Sequence, residues 1–268
     1  MAATDPTEAG DDASSDEDDG GEAPPSREAI VERLRRVDDP ELDRSIVDLE
    51  YVDRIDVDGD CVTVAFVLPT AWCSPAFAWM MATGIRDEVG TLPGVADVTV
   101  DLRDHMHAEE ITSGVNERRP FQAAFPDAED GVDAVRHKLD EKTRLARQHA
   151  AVEALLDAGL APEQIVTLDR AQVDLDADGD RAVVSLRDGS VLVPVDHEPL
   201  ARYLEKARAV GLAGDDDHLF ADPDGDPISP DAFETVQARA RAARVNVDGQ
   251  GSVCAALHES RNGTVVDD

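Results

Sequence analysis

"IDVDGDCVTVAFVLPTAWCSP", Ile55 to Pro75, is the stretch from which the rest of the chain is read. Ile55 and Val57 alternate with acids, Asp58-Gly59 is a turn signal, and Val62, Val64, Phe66 and Leu68 alternate again. That pattern predicts a β-hairpin with one apolar face. The strand stops at Pro69-Thr70, and after Cys73 the pair Ser74-Pro75 opens a helix to Val89. Phe77, Met81, Ile85 and Val89 keep a four-residue step along one helical face. Cys73 therefore sits on the joint between strand and helix. Unpaired N–H groups at a helix start favour a thiolate, which is both a nucleophile and a soft-metal ligand. The competing reading of the same residue is a small buried core side chain.

Upstream, Ser26 caps a helix whose apolar positions are Ile30, Leu34 and Val37, and Asp39-Pro40 ends it. A short strand is expected over Val47 to Val52. Downstream, "TLPGV" turns the chain, and Val95, Val98, Val100 and Leu102 predict a strand. These elements make an α+β unit over residues 26–126, with helices packed on a small mixed sheet. Residues 1–25 read as a disordered acidic tail. "PDAEDGVD" has linker composition, and a mostly helical domain carrying a β-hairpin, turning at Asp188-Gly189, is expected over residues 127–268. Its helices run from Val132 to Gly159, briefly near Ala161, along Leu200, Leu204 and Val210, and from Ser229-Pro230 to Val245.

The chain has 268 residues, 59 acidic against 25 basic, and a formal net charge of −34. Three of the basic residues are lysines: Lys138, Lys142 and Lys206. Such a surface repels itself in dilute salt, while molar salt shortens the Debye length to about 3 Å. The composition therefore reads as halophilic adaptation, and it lowers the weight of any single carboxylate as a functional signal. No basic stripe points to nucleic acid. No apolar run spans a membrane and the acidic start is unlike a secretory signal, so a cytoplasmic protein is expected. Cys61, Cys73 and Cys254 are too few for a disulfide framework. Cys61 lies in a strand out of phase with Val62, and Cys254 near a fraying end.

A second constellation is "DHMHAEE", which crowds Asp104, His105, His107, Glu109 and Glu110 into seven residues. On a continuing strand, His105 and His107 would share a face as metal-ligand pairs do, with the carboxylates completing the site. A metal-dependent enzyme built on this cluster is one alternative; a non-catalytic interaction scaffold is another.

"VDDPELDRSIVDLEYVDRIDVDGDCVTVAFVLPTAWCSP" and "LPGVADVTVDL", taken in order, resemble the PaaD-like iron–sulfur cluster assembly family. The resemblance covers Ser26 to Leu102, and "DHMHAEEITSGVN" looks like an extension found in a subgroup. It implies a non-enzymatic accessory factor in cluster assembly or metalloprotein maturation. Asp39, Thr70 and Cys73 fall on the family's pattern, with Cys73 as the reactive or ligand residue. The cofactor implied is a transient iron–sulfur cluster, held within a homodimer or between the chain and a client metalloprotein or assembly machinery. The chain departs from the pattern at Trp72, where glycine is usual before the cysteine, at Ser74, which separates cysteine from proline, and at Glu50, another usual glycine. A fainter similarity to the tyrosine-recombinase catalytic domain runs through the second half. "HESR" (His258 to Arg261) has that family's spacing, but no tyrosine follows it. Without that nucleophile, phosphodiester transfer is not expected.

Overall fold

The structure is a computed structural model and describes residues 24–128, 131–178, 181–212 and 218–262. The acidic tail expected over residues 1–25 lies outside them up to residue 23.

Helix α1 (Arg27–Leu34) starts where expected, with the Ser26 hydroxyl accepting the Ala29 N–H at 3.1 Å. Ile30 and Leu34 are fully buried. Two short strands follow, β1 (Asp38–Asp39) and β2 (Arg44–Ser45), paired antiparallel. The strand expected over Val47 to Val52 does not form; the chain turns until Val52. The N–H groups of Leu49, Glu50 and Tyr51 bond back to the carbonyls of Ser45, Val47 and Ile46. Glu50 takes φ 57, a left-handed conformation no strand contains. A glycine would adopt that backbone without a Cβ penalty.

β3 (Val52–Asp58) and β4 (Cys61–Val67) form the hairpin. Its loop is Gly59-Asp60, one residue later than predicted, because Asp58 pairs with Cys61 and Gly59 supplies the positive φ of 61. β5 (Asp97–Arg103) joins β4 in parallel, with Val62 beside Val98 and Phe66 beside Leu102. A parallel pair needs a long crossover, and α2 (Pro75–Val89) provides it. Val64, Phe66, Val100 and Leu102 pack with Ile30, Leu34, Met81 and Ile85 in the first core. Burying each such side chain contributes roughly 1.5–3 kcal/mol. Helices α3 (Ala108–Asn116) and α4 (Phe121–Ala124) close one end. There the Trp79 ring meets Phe121 and Phe125 edge-on, with centroids 5.5 and 6.2 Å away. Gly114 makes the approach fit, since a Cβ there would lie 2.5 Å from the indole.

Helix α5 (Val132–Asp157) connects two hydrophobic cores. Val132, Val135 and Leu139 belong to the first; Ala151, Val152 and Leu155 belong to the second. Around the second lie α6 (Pro162–Ile165), the antiparallel strands β6 (Val173–Asp178), β7 (Arg181–Leu186) and β8 (Val191–Asp196), α7 (His197–Ala209) and α8 (Phe233–Asn262). The predicted hairpin is thus part of a three-stranded sheet; alternating acids left only Val173 and Leu175 to announce β6. Helix α8 runs well past Val245. It starts in the second core with Phe233 and Val236 and returns along α5, where Lys142 donates to Gln250 at 2.7 Å. Helices and strands together make an α+β protein.

Candidate functional site

Cys73 lies on the β4–α2 joint, half-buried and leaning on the first core. Ser74 is the extended residue before the helix and Pro75 its first position, so the cysteine stands one residue outside the helix start. Thr70 shapes the loop: its hydroxyl accepts the Trp72 N–H at 3.1 Å, and its carbonyl accepts the Cys73 N–H at 3.4 Å. The other wall is the end of β5. There the Met106 N–H bonds the Ala71 carbonyl at 3.0 Å. His105 is buried, and its Nδ1 accepts the His107 N–H at 3.1 Å. The neutral ring then carries its proton on Nε2, which donates to the Cys73 carbonyl at 2.9 Å. Burial holds the His105 pKa below the usual histidine value, which keeps this tautomer neutral. Trp72 and Met106 flank the loop and are 74% and 53% exposed.

His105 and His107 do not share a strand face as predicted. β5 ends at Arg103, and Asp104 turns the chain with φ 50. His107 becomes the residue before α3, edge-on to Phe125 and 3.7 Å from the Glu110 carboxylate. Glu109 and Glu110 occupy the exposed first turn of α3. Among the described residues, no three His, Cys, Asp or Glu side chains are grouped so as to hold a metal ion.

Asp39, on β1, is buried. Its carboxylate accepts the N–H groups of Glu41 at 2.9 Å and Leu42 at 3.2 Å, and the Tyr51 hydroxyl donates to it at 3.4 Å. Burial raises the Asp39 pKa, and those hydrogen bonds offset part of the rise. Tyr51 is raised too, by burial and then by the charges of Asp39, Cys254 and Cys73. Sequence reasoning placed Cys254 at a fraying end, yet it lines a groove together with Glu41. Burial pushes its thiol up to about 11, with the charges of Asp39, Cys73 and Glu41 adding to the effect. The signal was legible: Phe233, Ala240, Val247 and Cys254 recur every seven residues, one face of a helix.

Residues 27–102 match the iron-sulfur cluster assembly protein family. No curated protein and no solved structure matches the chain. The matched segment runs from α1 to the last residues of β5, so it contains Asp39, Tyr51, Thr70 and Cys73 and stops short of His105 and Cys254. It supports a general role in iron–sulfur cluster assembly.

The second core spends its polar groups on structure. The Tyr203 hydroxyl is fully buried and donates to the Leu219 carbonyl at 2.8 Å; burial pushes its pKa up to about 12. The side chains of His258 and Arg261 lie outside the described residues. Among the described residues, no helix is long and apolar enough to cross a membrane.

Proposed function

We propose that the chain is a non-enzymatic accessory factor that passes an iron–sulfur cluster, or iron destined for one, to a client protein through Cys73. The observation that carries this reading is the pinned Thr70–Ser74 loop, which holds the thiol at a helix start inside the family-matched segment. A single cysteine on such a loop cannot satisfy a cluster alone, so sulfur or client ligands complete the coordination and the cargo stays labile. Tyr51 belongs to the core on which Cys73 leans and donates to Asp39. Thr70 and His105 position its backbone. The exposed Trp72 side chain, a residue type that anchors protein contacts, faces the client beside the thiol. The cluster is cargo here rather than a resident cofactor.

Anaerobic reconstitution with ferrous iron and sulfide tests the proposal. The wild-type chain should take up both and pass them to an apo-ferredoxin acceptor, and Cys73→Ala should lose most of the uptake. Equal loading by the alanine variant would remove the reading.

A further inference from the structure

We infer that the outward face of helix α8 pairs antiparallel with α8 of a second copy of this chain. This surface lies outside the family-matched segment, and the pairing does not depend on Cys73. Helix α8 has two opposite faces. Phe233, Val236, Ala240 and Val247 turn inward and are buried. On the other side Ala238, Ala242, Val245, Gly249, Ser252 and Ala256 recur at alternating steps of four and three, and all six are exposed. That is the seam spacing of paired helices. Val245 and Val253 are 63% and 61% exposed. A groove of about 690 Å³ runs along the seam, lined by Ala238, Ala242, Val245, Gly249 and Val253, with Glu41 contributed by the first unit. Composition also sets this face apart. The chain carries 59 acids in 268 residues, yet between Ala238 and Ala256 the one acid is Asp248. At the chain's average density that span would hold several. A face without the solvating acids of the rest of the surface is one that another surface covers.

Charge singles out a second copy as the occupant. Arg241 and Asp248 flank the seam on one side, seven residues apart and both exposed. An antiparallel register can seat Val245 against Ala242 of the second copy and Gly249 against its Ala238. In that register Arg241 of each copy meets Asp248 of the other. The two-fold axis makes the contact twice, as a self-complementary interface requires. A parallel pair would instead face Arg241 and Asp248 with Asn246 and Val253, which carry no charge. The groups are free to do this. Asp248 takes Arg244 of its own helix on Oδ2 at 2.9 Å, which leaves Oδ1 for the second copy. Arg241 has no carboxylate partner among the described residues. Alanine and glycine along the seam let the two backbones approach to about 8 Å. The apolar seam holds in molar salt, which screens charges, and the ion pairs fix the orientation.

Sedimentation equilibrium of the full chain in molar potassium chloride tests the pairing. The wild type should weigh twice its 28.8 kDa. Val245→Asp should dissociate it. Circular dichroism should show that variant folded, since Val245 faces solvent rather than the core, and Ala242→Glu serves in its place should it not be. Arg241→Glu and Asp248→Arg should each weaken self-association at least roughly tenfold, measured at the lowest salt that keeps the chain folded. Mixed in equal amounts, these two variants should restore the dimer, because each then offers the charge that the other lacks. A wild-type chain that stays monomeric at about 0.1 mM overturns the pairing, whatever else the face binds. So does a dimer that Val245→Asp and Ala242→Glu leave intact. A mixture of the swapped variants that associates no better than either alone overturns the antiparallel arrangement.

Discussion

The two cores use their buried polar groups in opposite ways. In the first, Asp39, Tyr51, Cys73 and His105 come from four separate segments and converge around one loop. In the second, Tyr203 and Arg144 serve the backbone. Arg144 is almost fully buried, and it donates to the carbonyls of Ala221 at 3.1 Å and Asp222 at 2.7 Å and to Gln148 at 3.0 Å. One turn along α5, Arg147 faces the first unit instead. It grips the Asp43 carboxylate with Nε at 2.8 Å and Nη2 at 2.6 Å, and reaches the Arg202 carbonyl and Glu205 on α7. The contrast teaches that chemistry-bearing groups gather in the first unit, while the second supplies a frame that holds α8 and α7 against it.

Arg147→Ala breaks this relation most directly. It leaves the buried Asp43 carboxylate with Arg202, at 3.2 Å, as its remaining cation among the described residues, and should cost about 3–5 kcal/mol. Chemical denaturation in molar salt should then show the two cores melting apart, where a single transition is expected of the wild type. Arg144→Ala, by comparison, leaves the Arg147 contacts in place and should lower the single transition without splitting it. Gly114→Ala tests the first unit alone. The added Cβ meets the Trp79 ring and should cost about 1–3 kcal/mol, read by tryptophan fluorescence during unfolding.

The junction also carries a pH signature. Partial burial of a side chain that stays 42% exposed pushes the Asp38 carboxyl up to about 6; Asp43 adds repulsion, and Arg147 offsets part of it. A folded pKa above the unfolded one means that Asp38's favourable contribution is complete below the unfolded value of 3.8 and is lost as pH rises through about 6. Asp38→Asn mimics the protonated form. It should be more stable than wild type at pH 7.5, and the advantage should vanish near pH 4. Equal stability of the two proteins at pH 7.5 would contradict the crowding. The smallest effect is spectroscopic. Nitrogen NMR should find His105 titrating below the usual histidine pKa with its neutral proton on Nε2, and His105→Gln should loosen the Cys73 loop, seen as faster amide exchange at Cys73.

Much of this was legible from local pattern. The alternation Val62-Val64-Phe66-Leu68, the Ser26 cap and the Pro75 helix start are each set by nearest neighbours, and each falls where expected. The misses share a cause. The Val47–Val52 strand and the His105/His107 strand face both failed at left-handed residues, Glu50 and Asp104, whose side chains do not announce a positive φ as glycine would. The third strand β6 was masked by acids that the whole chain carries in excess.

By itself the sequence determined the α+β unit, the place of Cys73 on its strand–helix joint and the family to which residues 27–102 are matched, because periodicity, capping and turn chemistry act over a few residues. Only the tertiary structure decided the company that Cys73 keeps. His105 and Tyr51 lie 32 and 22 positions away, and their approach depends on packing of the sheet and helices of the first core, which no local pattern encodes.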